Sequence, residues 1–170
     1  LSARIGRNEK PELLFSAVVA GALSDRELRK GLEDAWTTCE WPGRMADQES
    51  WLTLYAMAGV DEGHYLRETE LRARLLLPET VHLYRAATEG HQADLSWTSS
   101  FPKAHWFATR FDGFGSRPLR IYEIDAPRVA VLATFNKARG EHEYVIDTGL
   151  LSQPVSDIVA PEAWEDLLEP

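Results

Sequence analysis

The apolar positions along the chain show two textures, and the change falls at Pro78. Before it the period is helical. "KPELLFSAVVAGAL", residues 10–23, is an almost continuous apolar run with Pro11 where a first helical turn accepts proline. In "SDRELRKGLEDAWTTC", Ser24 followed three residues later by Glu27 is a capping-box pattern. Leu28, Leu32, Ala35 and Trp36 then recur at the spacing of one helix face. After a break at "WPGR", residues 41–44, "DQESWLTLYAMAG" puts Trp51, Leu54, Tyr55 and Ala58 on one stripe, with Gly59 as a natural stop. "LRETELRARLLL", residues 66–77, is a fourth helical segment. The tryptophans read as staples between these helices.

From Pro78 onward the runs are short and β-rich. "TVHLYRA", "DLSWTS", "LRIYEIDA", "RVAVLATF", "EYVIDT" and "VSDIVA" predict six strands. "FPKAHWFATRF" predicts a helix with Phe101, Ala104, Phe107 and Ala108 on one face, and "PEAWEDLL" a closing helix that starts at Pro161. The predicted fold class is α+β: a helical N-terminal region, 1–77, followed by a unit of two small packed β-sheets, 78–170.

Composition narrows the picture. With 170 residues, 44% of them apolar and 26% charged, the chain can build a core and is neither fibrous nor largely disordered. Its formal charge is −9, with ten basic against thirteen acidic residues before Pro78 and eight against fourteen from there on. Neither part is basic, so nucleic acid is disfavoured as a target. No run approaches the roughly 18 apolar residues of a membrane span. Leu13–Leu23 is shorter, follows Glu9 and Glu12 and runs into "SDRELRK", which reads as a buried helix rather than a secretion signal. The lone Cys39 forms no intrachain disulfide and points to a reducing, cytoplasmic site of synthesis. Histidines 64, 82, 91, 105 and 142 show no metal-ligand spacing, so no structural metal is expected. The glycine-rich "FDGFGSR" lacks the strand-to-helix setting of a phosphate loop.

Three features put polarity on strands that should be burying themselves. Arg85 ends "HLYR", and a planar fork of five donors beside a sheet suits phosphate or carboxylate as readily as solvent. Ser96 and Thr98 in "LSWTSS" are two apart, so an extended strand turns both hydroxyls to one side. Glu141 and Glu143 in "GEHEYVIDT" also share a side, roughly 6.6 Å apart along a strand. Each has a plain structural reading: a solvated strand end, a polar strand face, an acidic pair guarding an edge.

In this order, "LYRA", "SWTSS" with "AHWFA" downstream, and "EHEYVI" together resemble the arginine-serine-glutamate, cholera-toxin-like class of NAD-dependent mono-ADP-ribosyltransferases. The resemblance covers about the last 90 residues. Ser-Trp-Thr stands where that family has a Ser-Thr-Ser type motif. It implies an ADP-ribosyltransferase-like fold and NAD as a substrate, with no metal. Glu143 would stabilise the ribosyl cation, Ser96 would position Glu143, Arg85 would hold the pyrophosphate or adjoining ribose, and Glu141 would orient the acceptor and take its proton. Thr98 would share the cofactor-binding face. Trp97, Phe107 and Tyr84 are the candidates for a ring over the nicotinamide, and "RFDGFGSR", residues 110–117, for a loop closing on it. The acceptor implied is macromolecular, a protein side chain with arginine favoured, in a toxin, defence or phage setting that could include delivery to a target cell and an inhibitory partner. Two further readings stand beside it: an NAD glycohydrolase on the same fold, and a catalytically silent NAD-binding or interaction module. Exposed tryptophans at 36, 41 and 51 would favour an interaction module, buried ones would count against it.

Overall fold

In the computed structural model, residues 5–40, 42–59, 72, 74–110, 119–135 and 142–168 are described. The chain divides into two compact units, Leu1–Leu75 and Leu76–Pro170.

The first unit is helical. Its elements are α1 (Lys10–Val19), α2 (Asp25–Thr38), the short α3 (Pro42–Met45) and α4 (Gln48–Met57). α2 starts where the capping box places it: Ser24 Oγ accepts from the Glu27 N–H, and the Glu27 carboxylate accepts from the Ser24 N–H at 2.9 Å. α4 is capped by Asp47, which accepts from the Ser50 N–H at 2.7 Å. Both stripes face inward, since Leu28, Leu32, Ala35 and Trp36 of α2 and Trp51, Leu54 and Tyr55 of α4, with Ala58 just after it, are all buried. Trp36 stands edge-to-face on Trp51, with centroids 5.0 Å apart, and on Tyr55 at 5.9 Å, while Phe15 of α1 meets Trp51 at 5.5 Å. The Trp51 indole N–H donates to the Pro42 carbonyl at 3.1 Å, so its one polar atom is satisfied inside the core. Gly31 permits the close approach of α1 and α2, because a Cβ there would lie 2.8 Å from Leu14 Cδ1. Cys39 is buried. Burial of Trp36 and Trp51 removes the support that exposed tryptophans would have lent an interaction module; Trp41 and most of the 66–77 segment lie outside the described residues.

The second unit holds one five-stranded antiparallel sheet, ordered β3-β1-β2-β5-β4. Its strands are β1 (Thr80–Ala87), β2 (Ser96–Thr98), β3 (Arg120–Pro127), β4 (Val131–Phe135) and β5 (Glu143–Ile146). The α+β class holds, but among the described residues the expected six strands in two sheets are five strands in one sheet. "VSDIVA" makes only an isolated bridge, Tyr122↔Ile158, with the Glu123 N–H on the Asp157 carbonyl at 3.0 Å and the Val159 N–H on the Ile121 carbonyl at 2.9 Å. It lies along the outer edge of β3 and covers it without extending the ladder. Val155 and Val159 of the segment are buried and Ile158 is exposed, and Pro154 and Pro161, which bound it, cannot donate to a ladder.

The pleat divides the sheet's side chains. Val81, Leu83, Ala87, Trp97, Tyr122, Ile124, Ala126, Tyr144 and Ile146 share one face and one core cluster. On the other, Ile121, with Tyr84 and Ala86 partly buried, packs under α5 (Phe101–Thr109) through Phe101, Ala104 and Ala108. α5 is capped by Ser100, whose Oγ accepts from the Lys103 N–H. Phe107 departs from the expected stripe: it is half-buried and outside the cluster of Phe101, Ala104 and Ala108. Its ring meets Trp106 edge-on at 5.0 Å and lies 5.1 Å below the Arg110 guanidinium. The closing segment begins as a 3-10 turn, Pro161–Ala163, and continues as α6 (Trp164–Leu168). Among the described residues no helix is long and apolar enough to cross a membrane.

The aromatic contact of α2 with α4 generates a prediction. Trp51→Ala should cost about 3–5 kcal/mol, read by urea denaturation, whereas Leu13→Ala on the exposed side of α1 should stay within about 0.5 kcal/mol. Equal losses in the two variants would contradict the packing described.

Candidate functional site

β1 and β2 touch at a single pair, Tyr84↔Thr98, although β1 and β3 pair along their whole lengths. Toward the connection 88–95 the two strands part, and the β2 main chain loses the partner that β1 would have supplied. A buried carbonyl left without a donor costs roughly 1–3 kcal/mol. Arg85 fills the gap. Its Nη1 donates to the Ser96 carbonyl at 2.6 Å, Nη2 to the Asp94 carboxylate at 2.9 Å and Nε to the His91 carbonyl at 3.0 Å. A guanidinium has five N–H groups in a fixed fork, and here three of them serve the protein's own chain.

Other donors hold the same connection from its other sides. The Thr148 hydroxyl donates to the Ala93 carbonyl at 2.7 Å, the Trp97 indole N–H to the Asp94 carbonyl at 2.9 Å, and the Ile146 N–H to the Leu95 carbonyl at 2.8 Å. With Arg85 on Ser96, every carbonyl from Ala93 to Ser96 has its donor, each from a different residue. The strand entering the site is thereby placed.

β2 then runs antiparallel to β5 with Ser96↔Val145 and Thr98↔Glu143 in register. Residues directly opposite share a face, so Ser96, Thr98 and Glu143 lie on the same side of the sheet. Ser96 Oγ donates to Glu143 Oε1 at 2.9 Å. A carboxylate on the first residue of a strand would otherwise sweep several rotamers, and the hydroxyl selects one. Just before it, His142 takes φ of 46°, a left-handed turn that starts β5 abruptly, and its carbonyl accepts from the Ser99 N–H at 3.3 Å. Thr98 is buried, and its Oγ1 accepts from the Ser100 N–H at 3.1 Å, shaping the turn into α5. Thr98 therefore builds the end of the strand as well as sharing its face.

The electrostatics tie the same residues together. Only 16% of the Arg85 side chain is exposed, and burial pulls its pKa below the ordinary value. The charge and hydrogen bond of Asp94 oppose that shift, followed by the charge of Glu143. A guanidinium starts so far above neutrality that it stays charged. Asp94 also lies 3.3 Å from His91 Nδ1.

The structure sets Ser96, Thr98 and Glu143 on one face of the sheet, joins Arg85 to them through the Ser96 carbonyl from the Trp97 side of the pleat, and puts Trp97 in the core. Trp97 turns to the opposite face, as the residue between Ser96 and Thr98 must, and is 2% exposed in the core. Its expected place over a nicotinamide ring is thus corrected to a core position. Phe107 packs on Trp106 and Arg110. Tyr84 does lie in the row of Thr98 and Glu143, half-buried, edge-to-face with Phe101 at 5.3 Å and His82 at 4.8 Å. Glu141 and residues 111–117 of the glycine-rich loop fall outside the described residues. Asp94 escaped the sequence reading, because a single aspartate in a loop carries no spacing signal until Arg85 is seen to bind it. Among the described residues no group of His, Cys, Asp and Glu is placed to hold a metal ion. Chemically, the arrangement presents a carboxylate oriented by a neighbouring hydroxyl, suited to stabilising a developing positive charge.

No family model, curated protein or solved structure matches this chain.

Two predictions follow from this geometry. Arg85→Met keeps the apolar stem and removes the fork, leaving the Ser96 carbonyl without its donor and Asp94 without its guanidinium. It should destabilise the second unit by about 1–3 kcal/mol in urea denaturation, and an unchanged midpoint would deny Arg85 its role in the gap. The second concerns pH: partial burial, then the charges of Glu123 and Asp125, raise the Tyr84 phenol above its ordinary 10.0. The folded state thus holds this proton more tightly than the unfolded chain does. Its contribution is complete below pH 10 and is lost as pH rises through the folded value. Comparing ultraviolet titrations of the protein and Tyr84→Phe should show the missing phenol titrating above 10.0, and a normal midpoint for it would refute the assignment.

Proposed function

We propose that this chain is an NAD-dependent mono-ADP-ribosyltransferase, with its site at the junction of β1, β2 and β5. The observation that carries the reading is the hydrogen bond from Ser96 to Glu143, made across two strands by residues 47 positions apart. Arg85, third member of the resemblance, grips the main chain of that same serine. Three residues that carry the resemblance in sequence thus meet in space, as a shared site requires.

The chemistry suits a carboxylate held in this way. Nicotinamide is bound to ribose as a cation. When the N-glycosidic bond breaks, the bonding electron pair leaves with the ring as neutral nicotinamide, so little acid assistance is needed. The demand lies at the ribosyl carbon, which becomes oxocarbenium-like. The Glu143 carboxylate would stabilise that charge while accepting a hydrogen bond from a ribose hydroxyl, and Ser96 would keep it aimed. An acceptor nucleophile then bonds to the ribosyl carbon and gives up its proton, the role that Glu141 holds in this reading. Where the resemblance would have Arg85 hold the pyrophosphate or adjoining ribose, its three donors on the protein's own chain favour a role through the strand, holding the serine that holds the carboxylate. The acidic surface of the chain favours a basic protein acceptor over nucleic acid.

The test is to incubate the protein with adenylate-labelled NAD and a cell lysate, following nicotinamide release and macromolecular label together. Glu143→Ala should lower both by about a hundredfold or more. Nicotinamide release without label would identify a glycohydrolase instead, and a near-normal rate in the variant would overturn the assignment of Glu143.

A further inference from the structure

Asp94 opens the segment "DLSWTS" but belongs to none of the three polar features singled out in the sequence, and two of its contacts in the structure tie it to the site. Its carbonyl accepts from the buried Trp97 indole, and its carboxylate accepts from Arg85 Nη2. The first bond fixes where the residue stands, because Trp97 is immobilised in the core. The second, together with the Nε bond to the His91 carbonyl, sets where the guanidinium goes. A long, flexible arginine stem ending in a nearly buried charge needs a counter-charge, and Asp94 is its hydrogen-bonded carboxylate partner. With Nη2 held there, the planar fork aims Nη1 at the Ser96 carbonyl.

We propose that Asp94 is a positioning residue for this site: its carboxylate sets the Arg85 fork against the Ser96 carbonyl, and through it the angle at which the Ser96 hydroxyl meets Glu143. The chain of contact is short and continuous, Asp94 to Arg85 at 2.9 Å, Arg85 to Ser96 at 2.6 Å, Ser96 to Glu143 at 2.9 Å. β2 has no β1 partner at Ser96, so the guanidinium takes the place of the missing ladder bond. Removing the Asp94 charge frees the fork to swing toward solvent and lets that end of β2 move. The consequence for catalysis rests on the transferase reading, whereas the coupling of Asp94 to the Glu143 carboxyl does not.

The experiment is a double-mutant cycle of Asp94→Asn and Ser96→Ala, read in two ways. The first readout needs no NAD: the carboxyl carbon resonance of Glu143 in protein labelled at glutamate, assigned with Glu143→Gln. Asp94→Asn should shift this resonance when Ser96 is present and leave it in place in the Ser96→Ala background. The second is nicotinamide release, where Asp94→Asn should lower kcat by up to about a hundredfold with Ser96 present, and by less than about twofold in its absence. Equal effects in both backgrounds, on either readout, would overturn the proposal and make Asp94 a stabiliser of the fold alone. Should Asp94→Asn fail to fold, Asp94→Glu retains the counter-charge while moving it by one methylene, and the same non-additivity is required of it. If the parent protein releases no nicotinamide, the transferase reading falls, and the carboxyl resonance still decides whether Asp94 positions Glu143.

Discussion

The guanidinium of Arg85 occupies the place where the sheet's own hydrogen-bond ladder gives out, and the geometry of the site depends on it. β1 is bound along its full length to β3, while β2 belongs with β5 and β4, and the two groups are joined at Tyr84↔Thr98. A sheet joined at one pair has no intrinsic means of fixing what lies beyond that pair. An arginine supplies it, because its fork can satisfy a strand carbonyl, a loop carbonyl and a carboxylate from one position. The desolvation of that charge is offset by Asp94, with the Glu143 charge adding to it.

The register then carries the placement outward. Glu123, Tyr84, Thr98, Glu143 and Phe135 stand opposite one another across all five strands. Antiparallel pairing puts them on one face, so the position of any one constrains the rest. Glu143 is thus held twice, through its main chain by the ladder with Thr98 and Phe135, and through its carboxylate by Ser96. A carboxylate held at both ends loses little freedom when a substrate arrives, which is what a stabiliser of developing charge requires.

Much of this was legible from the residues. Ser24 with Glu27, and the stripes ending in Trp36 and in Ala58, predicted α2 and α4, because capping and helical burial are local patterns. The five strands were legible for the same reason, through alternation and the Pro and Gly that interrupt it. Trp97 was misread because its motif neighbours drew it toward the ligand, although the pleat alone places it opposite Ser96 and Thr98. "VSDIVA" was read as a strand from its apolar residues, but alternation cannot say whether an edge has a ladder to offer.

Local signals such as element identity, helix caps, the polar face of β2 and the candidacy of Arg85, Ser96 and Glu143 were determined by the sequence alone, since each depends on residues a few positions apart. The tertiary structure decided the rest: that five strands share one sheet, that β1 and β2 part beyond Tyr84, and that Asp94 becomes the partner of Arg85. Those outcomes turn on which main-chain groups are left without donors once the strands have paired, and a linear pattern does not record that.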